Sequence, residues 1–162
     1  MKTLQKYTIL LAVIFHALNL QANFNSNNFE QNLRIRPYRS HDDAQTANRI
    51  IKENYLPDYI LQDPETKTIV YEDENGIEGV CIYNPGKCYI EILAIDTPTQ
   101  RKGTGRALIY YAIHNLYSHH QCKQINLEST HSAREFYKKI GFEEDMSRYN
   151  GFSYTVIPSP TK

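Results

Sequence analysis

Gln100-Arg101-Lys102-Gly103-Thr104-Gly105-Arg106 sits at a junction between two unlike patterns and carries three cations in seven residues. Before it lies Tyr89-Ile90-Glu91-Ile92-Leu93-Ala94-Ile95, short, apolar and rich in β-branched residues, which reads as a mostly buried strand. After it, Leu108, Ala112, Ile113 and Leu116 recur at helical spacing between Ala107 and Tyr117, so a helix packs one face inward. The stretch is a glycine-rich strand-to-helix turn, whose backbone N–H groups and positive helix end form a seat for an anion. Cations in a helix's first turn cost roughly 0.3 to 1 kcal/mol each against the macrodipole. A bound phosphate would remove that conflict; alternatively the glycines supply a tight turn and the cations are solvated. No dinucleotide fingerprint continues from the loop, since Leu108 stands where a third glycine is needed, and no Gly-Lys-Ser/Thr follows for a triphosphate loop.

At 162 residues the chain is one domain with an ordinary core. Lys plus Arg and Asp plus Glu both number 18, so no overall basic field argues for nucleic acid or an anionic membrane. Residues 1–22 differ from the rest: Lys2 and Lys6 precede the apolar run Tyr7 to Leu18, and Leu20-Gln21-Ala22 offers a cleavage site. That layout is a signal peptide, with an uncleaved anchor or an ordinary N-terminal apolar helix as alternatives. The run is short for a span, which needs about 20 apolar residues. Export through this leader is one expected location; a cytoplasmic enzyme is the other. Residues 23–32 are an Asn-rich linker, and the folded domain is expected over 33–162. Cys81, Cys88 and Cys122 are an odd count; Cys81 and Cys88 flank a turn, but small buried thiols are the expectation for all three. No Cys or His spacing suggests a metal site.

In chain order, Leu33 to Arg36 reads as a strand, and Ser40 with Asp43 as the cap of a helix through Ala44, Ala47, Ile50 and Ile51. Pro57 to Leu61 suggests a second short helix. Thr66 to Tyr71 and Ile77 to Tyr83 are strands joined by an Asn75-Gly76 hairpin signal, and Asn84 to Lys87 turns the chain into the strand before the loop. Beyond the central helix, Lys123 to Glu128 is a strand. Ser132 and Glu135 form a capping-box pattern for a helix that Gly141 ends, and Phe142 to Glu144 and Phe152 to Ile157 close the chain. The reading is α+β: β, α, α, β, β, β, α, β, α, β, β, with a mixed sheet and a crossover.

That order resembles the GNAT superfamily of N-acetyltransferases. The loop from Gln100 to Gly105 is similar to its Gln/Arg-x-x-Gly-x-Gly/Ala signature, and Ala133-Arg134-Glu135-Phe136-Tyr137-Lys138-Lys139-Ile140-Gly141-Phe142 is similar to its second hallmark. The resemblance implies a six- to seven-stranded mixed sheet whose fourth and fifth strands splay around acyl-CoA, flanked by about four helices. It implies acetyl-CoA as co-substrate without a metal, held at its pyrophosphate by Gln100, Arg101, Lys102, Gly103, Thr104, Gly105 and Arg106. The pantetheine arm would pair with the strand edge at Leu93, Ala94 and Ile95, a form of strand addition. Thr130 stands where many members carry an asparagine, and the resemblance implies a hydrogen bond from its hydroxyl to the cofactor.

The implied reaction is attack of a primary amine, on a small molecule or a protein, at the thioester carbonyl. It needs a base, an oxyanion donor and an acid for the leaving sulfur. Tyr137 matches the family's acid, and its bland alternative is an aromatic on a core face. Glu91 matches the strand position of a catalytic glutamate in some members; Glu128 or water are rivals as base, and an ordinary outward-facing glutamate is the bland alternative. A backbone amide near Ile95 would meet the oxyanion. A non-catalytic acyl-CoA-binding or partner-binding module on the same fold is the alternative to an enzyme. Neither nucleic acid nor a stable membrane span is expected as partner, and monomer and homodimer are both open.

Overall fold

In the computed structural model, which describes residues 34–54, 63–100 and 103–156, seven strands form one mixed sheet. In chain order the elements are β1 (Ile35–Pro37), α1 (Ala44–Asn54), β2 (Lys67–Asp73), β3 (Gly76–Asn84), β4 (Tyr89–Ile95), α2 (Thr104–His120), β5 (Gln124–Glu128), α3 (Arg134–Lys139), β6 (Glu143–Asp145) and β7 (Gly151–Thr155). Across the sheet the order is β1-β2-β3-β4-β5-β7-β6. Every neighbouring pair is antiparallel except β4 and β5, which run parallel because α2 carries the chain across between them. Among the described residues the elements follow the expected α+β order, and β4 occupies the stretch read as a strand before the loop. The leader, the Asn-rich linker and the expected helix over 57–61 lie outside the described residues, which hold three α-helices.

Side-chain alternation along β4 fixes the layers. Ile92 and Ala94 join Val70, Val80 and Ile82 in a cluster with Ala47, Ile50 and Ile51 of α1. Leu93 and Ile95 point to the opposite face, where Gly105 of α2 lies against both. The two longer helices therefore cover opposite faces of the sheet. Gly79 admits α2 at this distance: a Cβ there would lie 2.8 Å from Ile95 Cδ1 and 2.9 Å from Leu108 Cδ1. Leu108, Ile109, Ala112, Ile113 and Leu116 are wholly buried, so the apolar spacing of this helix was read correctly. The helix begins at Thr104, inside the glycine stretch, which sets Arg106 in its first turn.

Helix ends also differ from expectation in instructive ways. Gly141, at φ 99°, lets α3 close with Phe142 N–H donating to Tyr137 O at 3.0 Å and Gly141 N–H to Lys138 O at 3.1 Å, the expected C-cap. Its other end corrects the capping box. His131–Ala133 form a 3-10 turn, no side chain caps the helix, and the Ser132 and Thr130 hydroxyls bond each other at 3.2 Å. Ahead of α1, Asp43 reaches the N–H of Arg39 at 2.6 Å, in place of a cap from Ser40. The same carboxylate, 3% exposed as a residue, takes both terminal nitrogens of Arg36 at 2.7 and 2.9 Å.

The cysteines overturn the expectation of three thiols. Cys88 and Cys122 form a disulfide with 5.7 Å between their Cα atoms, and Cys81 alone is free and buried. Sequence proximity favoured Cys81 with Cys88. The crossover instead returns the end of α2 to the β3–β4 turn, which only the tertiary fold determines. Closing a ring with a sequence separation of 34 stabilises the fold by about 3 to 4 kcal/mol in the chain-entropy account.

Hydrogen bonds from Arg36 hold the Asp43 carboxyl below its ordinary 3.8. A depressed folded-state value means that this contribution is complete above the ordinary value and fades as acid protonates the folded carboxylate. Asp43→Asn should lower the unfolding free energy at neutral pH by about 2 kcal/mol in urea denaturation, and the deficit against the parent should shrink below about pH 4.

Candidate active site

The parting of β4 from β5 makes the site. Register between them covers Tyr89 with Asn126 and Ile90 with Leu127 and stops there. From Glu91 to Ile95, β4 follows β3 and is no longer in register with β5. Asp96 N–H donates to Glu78 O at 2.8 Å, one step beyond the register of Gly79 with Ile95. Antiparallel pairs alternate, so Ile92 and Ala94 direct their backbone groups to β3 while Leu93 and Ile95 direct theirs into the gap. This gap is the splay expected around acyl-CoA, and it places Leu93 and Ile95 as a strand edge with Ala94 buried between them. The closed end is weak. It has two register pairs, and Asn84 Nδ2 and Asn126 Oδ1, flanking Tyr89 across three strands, are buried without hydrogen-bond partners. Each such atom costs about 1 to 3 kcal/mol.

Two bulges re-aim two glutamates. On β3, Gly79 pairs with Tyr71 and Ile77 with Glu72, leaving Glu78 as the extra residue. On β4, Ile92 pairs with Ile82 and Ile90 with Tyr83, leaving Glu91 as the extra residue. A bulge turns its residue out of the regular alternation. Glu91 consequently stands, half-buried, at the point where the strands part. Burial first, and then the Glu128 carboxylate, raise the Tyr89 hydroxyl above its ordinary 10.0, with Glu91 adding to the rise and Arg148 opposing it. The two glutamates that the sequence offered as rival bases therefore share one neighbour at the closed end of the gap.

The glycine stretch opens α2 as expected. Gly103 has φ 96° and no atom within 4 Å of where a Cβ would stand. No side chain caps this helix, and its first internal bond is Ala107 N–H to Gly103 O at 3.0 Å, so the amides of residues 104–106 belong to the unbonded first turn. Arg106 is exposed; Arg101 and Lys102 lie outside the described residues. Thr104 turns its side chain inward. Its hydroxyl, buried, donates to the bulged Glu78 at 3.2 Å, which leaves its amide among the unbonded first-turn groups. Gln100 Nε2 turns back toward Ile95 O at 3.5 Å.

Helix α1 locks the far end of the edge. Asn54 Nδ2 donates to Ile95 O at 3.1 Å, and Arg49 holds Asp96 in a fork with both contacts at 3.0 Å. With Asp96 N–H taken by Glu78 O, the peptide between Ile95 and Asp96 is pinned at both ends. Arg49, Asn54 and Asp96 carry no motif in the sequence, and only their convergence on one peptide marks them. Tyr137 is 5% exposed and packs its ring on Phe136, Phe142 and Phe152 with centroids 5.1, 5.7 and 5.9 Å apart. Thr130 is exposed beside Ser132, at the turn before α3.

A family model described as an acetyltransferase (GNAT) domain matches residues 35–155. The chain belongs to the GNAT family. No curated protein matches the sequence. Among solved structures, smu.2055 from Streptococcus mutans is similar at TM-score 0.62 and 20% identity, covering 76% of this chain and 99% of that one. A point variant of spermidine N-acetyltransferase SpeG from Vibrio cholerae is similar at 0.61 and 17%, covering 76% and 95%. A GCN5-related N-acetyltransferase from Rhodopseudomonas palustris is similar at 0.58 and 17%, covering 75% and 94%. At these identities the likeness is one of fold, and it is the GNAT fold that the parting strands and the crossover helix express. This GNAT chain is an acetyltransferase.

Thr104→Val keeps the shape of the residue and removes the donor to Glu78. It should destabilise the fold by about 1 to 3 kcal/mol in chemical denaturation, and Thr104→Ser should recover most of that loss.

Proposed function

We propose that this chain is an acetyl-CoA-dependent N-acetyltransferase that transfers the acetyl group to a primary amine of a small molecule or protein by direct attack on the thioester. The observation that carries the reading is the parting of β4 from β5 immediately before the amide-lined start of α2. Acetyl-CoA supplies an activated acyl group, and the residues present fit it: an open Gly103, unbonded first-turn amides at 104–106, and a β4 that leaves the register of β5 after Ile90. In this proposal Arg101, Lys102 and Arg106 add charge around the pyrophosphate, and Gln100 and Thr130 border it. The pinned end of β4 presents the Ile95 amide to the developing oxyanion.

Glu91, re-aimed by its bulge, takes the amine proton directly or through water, with Glu128 beside the shared Tyr89 as the rival. The Tyr137 hydroxyl returns a proton to the leaving sulfur. On the β6–β7 turn, Met146 and Tyr149 are each 90% exposed next to Arg148, whose charge acts on Tyr89. That turn frames the acceptor's entry. A second reading, a non-catalytic acyl-CoA-binding module, is favoured by the deep aromatic packing of Tyr137.

The test is thiol release from acetyl-CoA over a panel of amines, beside calorimetric binding of acetyl-CoA. Gly105→Glu should abolish binding by filling the contact with Ile95 and Leu93. Tyr137→Phe and Glu91→Gln should each lower kcat by about 100-fold with acetyl-CoA affinity nearly unchanged. Binding without turnover on any amine, and indifference to both substitutions, would establish the module instead of the enzyme.

A further inference from the structure

The disulfide occupies a place that the chemistry above does not use. Cys88 immediately precedes β4, and its carbonyl accepts the Asn126 N–H at 3.0 Å, beside the first register pair of the seam. Cys122 follows the closing turn of α2 and lies two residues ahead of β5. In that turn Gln121, at φ 57°, and Cys122 donate to Tyr117 O and Leu116 O at 3.0 and 3.1 Å, so the sulfur is anchored to the helix. The bridge ties the root of β4 to the root of β5. The ring it closes holds β4, the glycine stretch and α2, which together carry every residue proposed to hold acetyl-CoA except Thr130.

The seam it braces has two register pairs, whereas the edge ladders of β1 with β2 and of β6 with β7 have three each. The third cysteine is no competitor. Cys81 is wholly buried opposite Leu93, and burial pushes its thiol well up, so it stays protonated and does not attack the bridge.

We infer that the Cys88–Cys122 disulfide is a redox-dependent brace that sets the divergence of β4 and β5, so that acetyl-CoA affinity depends on the oxidation state of this pair. The inference rests on the acetyl-CoA reading of the same gap. Forming the bridge removes one proton and one electron from each thiol, and a small-molecule disulfide such as oxidised glutathione accepts them and departs as two thiols. Once oxidised, the two roots cannot separate, and the gap opens only beyond Ile90. Once reduced, the two-pair seam alone sets the angle. A bridge of this kind persists in oxidising compartments, to which the N-terminal leader read from the sequence would deliver the chain.

The experiment compares the full chain equilibrated with oxidised glutathione and with dithiothreitol. Mass spectrometry after alkylation should assign the bridge to Cys88 and Cys122 and leave Cys81 free. Calorimetry with acetyl-CoA and no acceptor should show affinity about tenfold weaker after reduction, with far-ultraviolet circular dichroism unchanged. In steady state, KM for acetyl-CoA should rise with kcat nearly constant. Backbone hydrogen exchange at Asn126 should quicken on reduction, a readout independent of cofactor. Cys88→Ser with Cys122→Ser should reproduce the reduced state and ignore reductant, while Cys81→Ser should keep the full response.

Equal affinity in both redox states, or free thiols at Cys88 and Cys122 under oxidised glutathione, overturns the brace and leaves the acetyltransferase reading intact. Faster exchange at Asn126 on reduction, with no acetyl-CoA binding in either state, supports a redox-sensitive seam but overturns its link to the cofactor together with the functional reading. Should the double variant fail to fold, the reduced parent chain decides by the same measurements.

Discussion

A central strand in a sheet normally spends its backbone groups on both neighbours, and β4 does so only at Tyr89 and Ile90. Everything else in the site follows from that unfinished pairing. Five further residues of β4 remain in register with β3 or bulge from it, and none of them is in register with β5. Such an edge inside a sheet is unstable unless the strand is held elsewhere. Here it is held three times: by β3 along its length, by α1 through Asn54 and Arg49 at its end, and by the Cys88–Cys122 bridge at its root. The rigidity of the edge and the weakness of the seam are two consequences of one constraint, since a gap able to admit a strand-like ligand requires that β5 depart early.

The same constraint orders the electrostatics. The start of α2 must face the gap for its amides to serve an anion, which brings a positive helix end against the sheet. The fold answers with Glu78, bulged out of β3 and bonded by Thr104 beneath that turn. At the other end of the gap a second bulge delivers Glu91, near Tyr89 and Glu128. Two insertions of one residue thus place two carboxylates, one structural and one proposed as the base, on either side of the edge. Neither position can be found by alternation, because a bulge is by definition a break in it.

Much of the architecture was legible because it depends on local pattern. The period of two in Tyr89 to Ile95, the helical spacing of Leu108 to Leu116, the Asn75-Gly76 turn and the Gly141 cap are each decided by residues within one turn or one strand, where backbone preferences act directly. The glycine stretch and the Tyr137 segment were likewise visible, since their residue types are demanded by a tight turn and by a family motif. Less visible were Thr104, whose hydroxyl turns inward, and Ser132, whose capping box gives way to a 3-10 turn.

By itself, then, the sequence determined the order of the described elements, the crossover, the glycine-rich opening of α2 and the family. Tertiary structure alone decided which cysteines join, which peptide Arg49 and Asn54 secure, where β4 and β5 part, and how Glu91 and Glu128 come to share Tyr89. The physical reason is separation along the chain. These contacts join residues brought together by the crossover through α2, by a register shift or by the packing of α1 on β4, and no local preference encodes the distance between elements that the chain visits 30 or more residues apart, as Cys88 and Cys122 are by 34.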